Sequence, residues 1–300
     1  MQSVALRTPE LFSVLLLFFR KRSPLAPILL GSALVFTTFW YSFAKIGAPT
    51  PVAPLTRGCT ASGLRILLFT VATPGSGASA EVSILLNSVY AHRHGYDFFV
   101  ERCVPDTTLD FTWGADDHDG GSRINWAKPM WLKKHLPFYD YILFLDADTY
   151  VVNATATVEA FIDKHFSDPR VFLVLARDCK NSTYCWHDDA PNCGVLLMRN
   201  SVAALDMLDY WLASADGKCN MWKYKHSREQ GCLTMLMPEY EGQIKLVHDA
   251  QEMNGEDGRW VVHLVGLSEE KRFDILSREL VRVLRHRNLL GGVEARKIAL

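Results

Sequence analysis

Asp140-Tyr-Ile-Leu-Phe-Leu-Asp146-Ala147-Asp148-Thr149-Tyr150 is the stretch on which the fold turns. Its run Tyr141 to Leu145 is apolar on both faces of an extended chain, as a central strand of a parallel sheet should be. It ends in two carboxylates one residue apart, placed at the C-terminal edge of the sheet, where open α/β folds bind ligands. Two anions there need a cation. Carboxylate oxygens suit manganese or magnesium, which complete their shells with water and substrate phosphates, so the natural substrate class is a diphosphate. A phosphatase with a nucleophilic aspartate also shows D-x-D after an apolar strand, but on its first strand, whereas two strand–helix units precede the motif here.

Working outward, Arg65 to Ala72 is a buried-strand pattern feeding Thr73-Pro74-Gly75. Helical spacing through Val82, Leu85, Leu86 and Val89 predicts a helix over Glu81 to His94, followed by a strand from Tyr96 to Glu101 and a helix from Trp126 to His135. Beyond the motif come strands at Val171 to Ala176 and Gly194 to Met198, helices at Val202 to Ala213 and near Gln230 to Met237, and a last strand at Trp260 to Val265. Strand and helix alternate, which makes this an α/β domain. Residues 269–300 are helix-permissive and basic, and read as a solvated helix face or tail.

The N-terminus has a different character. Leu25 to Ala44 carries no charge for 20 residues, enough to span about 30 Å as a helix. Arg20, Lys21 and Arg22 precede it, and an aromatic cluster at Phe39, Trp40, Tyr41 and Phe43 closes it, so the positive-inside rule puts residues 1–24 in the cytosol. The expected organisation is a cytosolic tail (1–24), a transmembrane signal anchor (25–44), a Pro- and Gly-rich stem (45–64), a catalytic domain (65–268) and the C-terminal segment (269–300). The expected location is a Golgi or ER membrane, single-pass type II, with the catalytic domain lumenal. Seven cysteines fit an oxidising compartment and leave one unpaired or paired with another chain. Sequons at Asn153 and Asn181 are compatible with it. The formal net charge of -1 offers no basic field for nucleic acid. The acidic run at 116–121 is not a calcium loop, because the twelfth position counted from Asp117 is Lys128 rather than glutamate.

Trp260-Val-Val-His263-Leu-Val-Gly266 is a second signal. Histidine is a fair manganese ligand, and glycine allows close approach of a phosphate to the backbone. A lone histidine in an apolar strand is by itself more often a satisfied core residue.

In order along the chain stand HGYDFF (94–99), WAKPMWLKKHL (126–136), YDYILFLDADTYVVN (139–153), NCGVLLMRNS (192–201), EQGCLTMLM (229–237) and HLVG (263–266). This series resembles the retaining glycosyltransferases that include galactomannan galactosyltransferases, xyloglucan xylosyltransferases and Golgi α-mannosyltransferase subunits. The resemblance implies a GT-A fold, a Rossmann-like mixed sheet flanked by helices, here preceded by the transmembrane helix. It implies a metal held by Asp146, Asp148 and His263, and donor contacts from Lys128, Asp146, Ala147, Asp148, Asp188 and Gly266. It further implies Gln230 and Glu229 as catalytic residues, Gln230 stabilising oxocarbenium-like charge and Glu229 orienting the sugar. The cofactor is Mn2+ or Mg2+. The donor is a nucleotide-sugar, UDP-galactose or UDP-xylose ahead of GDP-mannose, and the acceptor a glycan, with a homo- or hetero-oligomer among the expected assemblies. The family's lysine five residues after the metal-binding histidine is Ser268 here, with Lys271 and Arg272 as the bases that could replace it. Asp188 and Asp189 stand in a polar loop beside Trp186 and His187, and an inverting enzyme would draw its base from Asp188. A non-catalytic subunit of a glycosyltransferase complex and an Asp-nucleophile phosphatase are the alternatives.

Overall fold

The apolar runs pair into one mixed six-stranded sheet whose strands expose a different cluster of side chains on each face. The structure, a computed structural model, describes Thr60 and residues 62–73, 76–102, 121–178 and 190–286. Residues 25–44, most of the stem, Pro74 and Gly75, residues 116–120, the Asn181 sequon, Asp188, Asp189, Cys59, Cys103, Cys179, Cys185 and residues 287–300 lie outside the described residues. Two units are distinguished, Gly58–Leu280 and another made of Met1–Arg57 with Val281–Leu300. Of the second, only residues 281–286 are described, as the end of a helix. Among the described residues no helix is long and apolar enough to cross a membrane.

The elements are β1 (Ile66–Val71), α1 (Gly77–His94), β2 (Asp97–Glu101), α2 (Gly121–His135), β3 (Tyr141–Leu145), β4 (Thr149–Val151), α3 (Val158–His165), β5 (Leu173–Arg177), β6 (Pro191–Arg199), α4 (Val202–Ser214), α5 (Arg228–Leu236), β7 (Ile244–Val247), β8 (Val261–His263) and α6 (Glu269–His286). The large sheet runs β2-β1-β3-β6-β5-β7, and β4 pairs with β8 in a separate two-stranded sheet. β3 is parallel to β1 and antiparallel to β6, so it is central but not wholly parallel as its pattern suggested. A strand apolar on both faces reports burial, and burial is blind to direction. The chain leaves β1 toward β2 on one side and β3 on the other, so the switch point lies between β1 and β3, beside the D-x-D turn.

Alternation along each strand feeds two cores. Ile142 and Phe144, with Leu67, Phe69, Leu196 and Met198, pack against Trp126 and Leu132 of α2, Met207 and Trp211 of α4 and Leu233 of α5. Tyr141, Leu143 and Leu145, with Ile66, Leu68, Val195 and Leu197, meet Tyr90 of α1, Phe161 and Ile162 of α3, and Trp260 and Val261. Fully burying one such leucine stabilises the fold by about 2 kcal/mol. Ser201 and Thr157 cap α4 and α3 by accepting from Ala204 N and Ala160 N. Gly95 ends α1 with φ 74°, the left-handed conformation that favours glycine.

α1 departs from expectation in which face it buries. Val82, Leu85 and Val89 are only half-buried, whereas Ser79, Ser83 and Asn87 are buried together with Leu86 and Tyr90. Those three polar residues, four apart, form one stripe down the helix. Ser83 Oγ donates to Thr149 O. Asn87 Nδ2 donates to Thr149 O at 2.9 Å, and its Oδ1 accepts from Val151 N at 3.0 Å. β4 is thus tied to the body of the domain through α1.

Candidate metal and donor site

The D-x-D residues sit on a tight turn between β3 and β4. Thr149 N donates back to Asp146 O at 3.0 Å, and Thr149 Oγ1 does so at 2.7 Å. Asp146 N donates across to Gly194 O of β6 at 2.7 Å. Ala147 occupies the turn between the two carboxylates. The antiparallel β4–β8 pair sets Thr149 opposite His263, so a histidine 115 residues downstream of Asp148 by numbering arrives beside its carboxylate. Ligand atoms of Asp146, Asp148 and His263 all lie within 4.8 Å of one another.

His263 is 3% exposed and tightly constrained. A Cβ at residue 194 would stand 2.1 Å from its Cε1, so only glycine there leaves room for the ring. Its Nδ1 lies 2.9 Å from Asn254 Oδ1. The Asn254 amide is oriented by its other bonds, Nδ2 donating to Arg177 O at 3.2 Å and Oδ1 accepting from Gly255 N at 2.9 Å. The tautomer assigned from these partners carries its proton on Nδ1 and turns the Nε2 lone pair toward Asp148 Oδ1 at 3.4 Å. Two acceptors facing each other need a proton or a cation between them. A donor set of two carboxylates and one imidazole, the latter fixed by an outer hydrogen bond, fits manganese. Burial alone would raise the Asp148 carboxyl; when the space between the two groups holds a proton, on an imidazolium, the hydrogen bond and charge of His263 together with the charge of Arg272 outweigh burial and hold the carboxyl below its ordinary range.

Asp146 faces Lys128 of α2, Nζ to Oδ1 at 3.2 Å. That ammonium also donates to Cys193 O at 2.8 Å and to Glu229 Oε1 at 3.1 Å. Burial pulls the Lys128 pKa down, yet Asp146 and Glu229 overcome it and raise the value, so the side chain stays charged. Glu229 is 2% exposed in the first turn of α5, and its Oε2 has no hydrogen-bond partner among the described residues. Gln230 is half-buried; its Oε1 accepts from Cys193 N at 2.9 Å and its Nε2 donates to Asp178 Oδ2 at 3.3 Å. Gly266 has φ 76° and open space where a Cβ would be.

The structure is similar to that of a glycosyltransferase involved in the glycosylation of the major capsid of PBCV-1, with a TM-score of 0.55 and 22% identity over 71% of this chain and 99% of that one. The chain has the fold of a known glycosyltransferase. Weaker likenesses are to the galactosyltransferase LgtC in complex with donor and acceptor sugar analogs (TM-score 0.47, 13% identity, 71% and 95% of the chains). Another is to mouse xyloside xylosyltransferase 1 (0.41, 13%, 68% and 98%). No protein-family model and no curated protein matches the chain.

Of the residues expected at the site, Asp146, Ala147, Asp148, His263, Lys128, Glu229 and Gln230 form one connected neighbourhood, while Asp188 lies outside the described residues. Several members were not anticipated. Asp178, exposed at the end of β5, accepts from Asn192 Nδ2 at 2.7 Å as well as from Gln230. Asn254, Gly194 and the α1 stripe shape the site from behind. A small-polar repeat at i, i+4 and i+8 along α1 is the signal the sequence offers for the stripe. Among the described residues Cys193 is buried and unpaired, while Cys219 and Cys232 form a disulfide that encloses the segment carrying Glu229 and Gln230.

Proposed function

We propose that this chain is a metal-dependent glycosyltransferase moving a hexose or pentose from a nucleotide-diphosphate sugar to a glycan or glycoconjugate acceptor, with retention at the anomeric carbon. The observation that carries the reading is the Asp146–Asp148–His263 cluster at the sheet's switch point, on the fold of a known glycosyltransferase. A manganese or magnesium ion, when bound, supplies Lewis-acid neutralisation of the diphosphate leaving group. The protein's own part is preorganisation. Lys128 holds the Asp146 carboxylate, Asn254 and Gly194 hold the His263 lone pair on target, and Gln230 is fixed beside the start of β6 by Cys193 N and Asp178. Buried Glu229 acts through Lys128 as a positioning residue rather than by touching the sugar. In this reading Gln230 stabilises oxocarbenium-like charge, the role the motif resemblance implies. UDP-galactose and UDP-xylose are the favoured donors and GDP-mannose the next, as the motif resemblance implies.

The setting is an oxidising lumen, with residues 25–44 as the anchor of a type II protein of the Golgi or ER. The basic residues 20–22, the uncharged stretch that follows and the Cys219–Cys232 disulfide support that setting.

The test is a panel of nucleotide-sugars with the full chain and Mn2+, reading release of nucleoside diphosphate and transfer to glycan acceptors. Manganese-dependent turnover that disappears in Asp146→Asn is the expected result. Wild-type rates for that variant in chelator would overturn the reading. Donor binding by calorimetry with neither transfer nor hydrolysis would point to a non-catalytic subunit instead.

A further inference from the structure

Each carboxylate of the D-x-D turn already has a basic side chain beside it, and the two are held in very different ways. Lys128 is 5% exposed and bound to Asp146, Glu229 and Cys193 O together. Arg272 reaches Asp148 from the first turn of α6, Nη1 to Oδ2 at 3.3 Å, with a side chain 29% exposed. Its Nε is buried and has no hydrogen-bond partner among the described residues. A guanidinium has five N–H donors in a planar fork and is most strongly held by bidentate pairing. One long contact and an orphaned Nε leave Arg272 far from that limit.

α6 is nonetheless placed with care. Ser268 starts it: Arg272 N donates to Ser268 O at 3.0 Å, and Lys271 N lies 3.4 Å from Ser268 Oγ. Glu269 accepts from Ser79 N at 2.8 Å and from Ser79 Oγ at 2.6 Å. Gly77 makes room, because a Cβ there would stand 2.5 Å from Glu269 Oε1. The first turn of α6 is therefore docked on the N-terminus of α1, not a solvated appendage, and the docking delivers Arg272 to Asp148.

We propose that Arg272 is a displaceable counter-cation at the metal site. With no ligand bound it neutralises Asp148. When a divalent cation is held by Asp146, Asp148 and His263, the guanidinium is repelled from Asp148 and its donors turn to an oxygen of the polyphosphate that accompanies the cation. Cation and anion then bind cooperatively, because the arginine opposes the first alone and favours the two together. This rests on the metal reading above and adds to it a named residue and a sign.

The sign is what the experiment reads. The full chain, Arg272→Gln and Arg272→Lys are titrated with Mn2+ alone, and bound metal is followed by electron paramagnetic resonance. The same proteins are then titrated calorimetrically with preformed manganese–pyrophosphate complex. Arg272→Gln should bind Mn2+ alone more tightly, on the order of tenfold, and the pyrophosphate complex more weakly by a similar factor. Arg272→Lys keeps the charge and should follow the wild type, which also guards against a folding defect in the glutamine variant. Unchanged or weaker Mn2+ binding by Arg272→Gln, with wild-type binding present, would overturn the proposal and leave the metal reading standing. Absence of Mn2+ binding in all three proteins would remove the metal reading, and this proposal with it.

Discussion

The six-stranded sheet and the two-stranded sheet divide the work of the molecule unequally. The first is built from strands of four to nine residues, its inner strands β1, β3, β6 and β5 buried between two layers of apolar side chains. The second has three residues in each strand, and its β4 is secured by hydrogen bonds from Ser83 and Asn87. Yet it is the small sheet that brings His263 to Asp148. Apolar packing tolerates adjustment, because volume can be redistributed among neighbours. A bond from one amide to one carbonyl has little such slack. The scaffold is thus set by hydrophobic burial and the site by a handful of polar contacts.

Four measurements sharpen or break that contrast. The largest effect belongs to the small sheet's edge: Asp148→Asn should lower turnover by at least about a thousandfold, a loss of roughly 4 kcal/mol in transition-state stabilisation. Melting should change far less, and steady-state rates beside a denaturant curve decide it. Next is the large sheet, where Leu143→Ala removes a side chain with no solvent exposure. It should cost about 3 kcal/mol of unfolding free energy in urea, with Mn2+ affinity of the surviving native protein unchanged. Asn87→Ala should be milder in stability, about 2 kcal/mol, and unlike the leucine variant should weaken Mn2+ binding. Equal metal affinities in the two variants would dissolve the proposed division.

The smallest effect concerns pH and the far side of the large sheet. His135 packs against Phe69, Phe99 and Trp131 with its Nε2 unpartnered among the described residues. Burial, assisted by the charge of Lys134, pushes its pKa down to about 4. The unfolded chain takes up this proton near pH 6.5 and the folded one only near 4, so stability from this group is present above about 6.5 and lost as the pH falls through that window. Replacement by phenylalanine should reduce the drop in urea midpoint between pH 7 and 5 by roughly a few tenths of a molar. An identical drop in both proteins would contradict the assignment.

Legibility in the sequence followed the same division. β1, β3 and β6 announced themselves as β-branched or aliphatic runs, and α4 as an apolar repeat. β8 falls inside the strand expected at Trp260 to Val265, though it is only three residues long, whereas β4 is too short for any period to register and the edge strand β7, Ile244-Lys-Leu-Val247, is only half-buried through most of its length. α3 was missed although Thr157 caps it, because the apolar residues on either side read as strand. At the site, the spacing of Asp146 and Asp148 was visible and His263 became so through the motif series. Asn254 and Asp178 were not. Their roles depend on backbone carbonyls and amides that only tertiary structure brings near, and nothing in an isolated asparagine or aspartate distinguishes such a position from a solvated turn.

The stripe of Ser79, Ser83 and Asn87 has a consequence for how the domain assembles. Until Thr149, Val151 and Glu269 arrive from 62 to 190 residues away, the polar atoms of these side chains have little beyond the long contact from Asn87 Nδ2 to Ser83 Oγ at 3.4 Å. A partly formed intermediate that closed α1 against the sheet early would strand them in a dry interior. Docking of the helix should therefore wait for the D-x-D turn and the start of α6, so that ligand-binding competence and the final closure of the chain arrive in one concerted event.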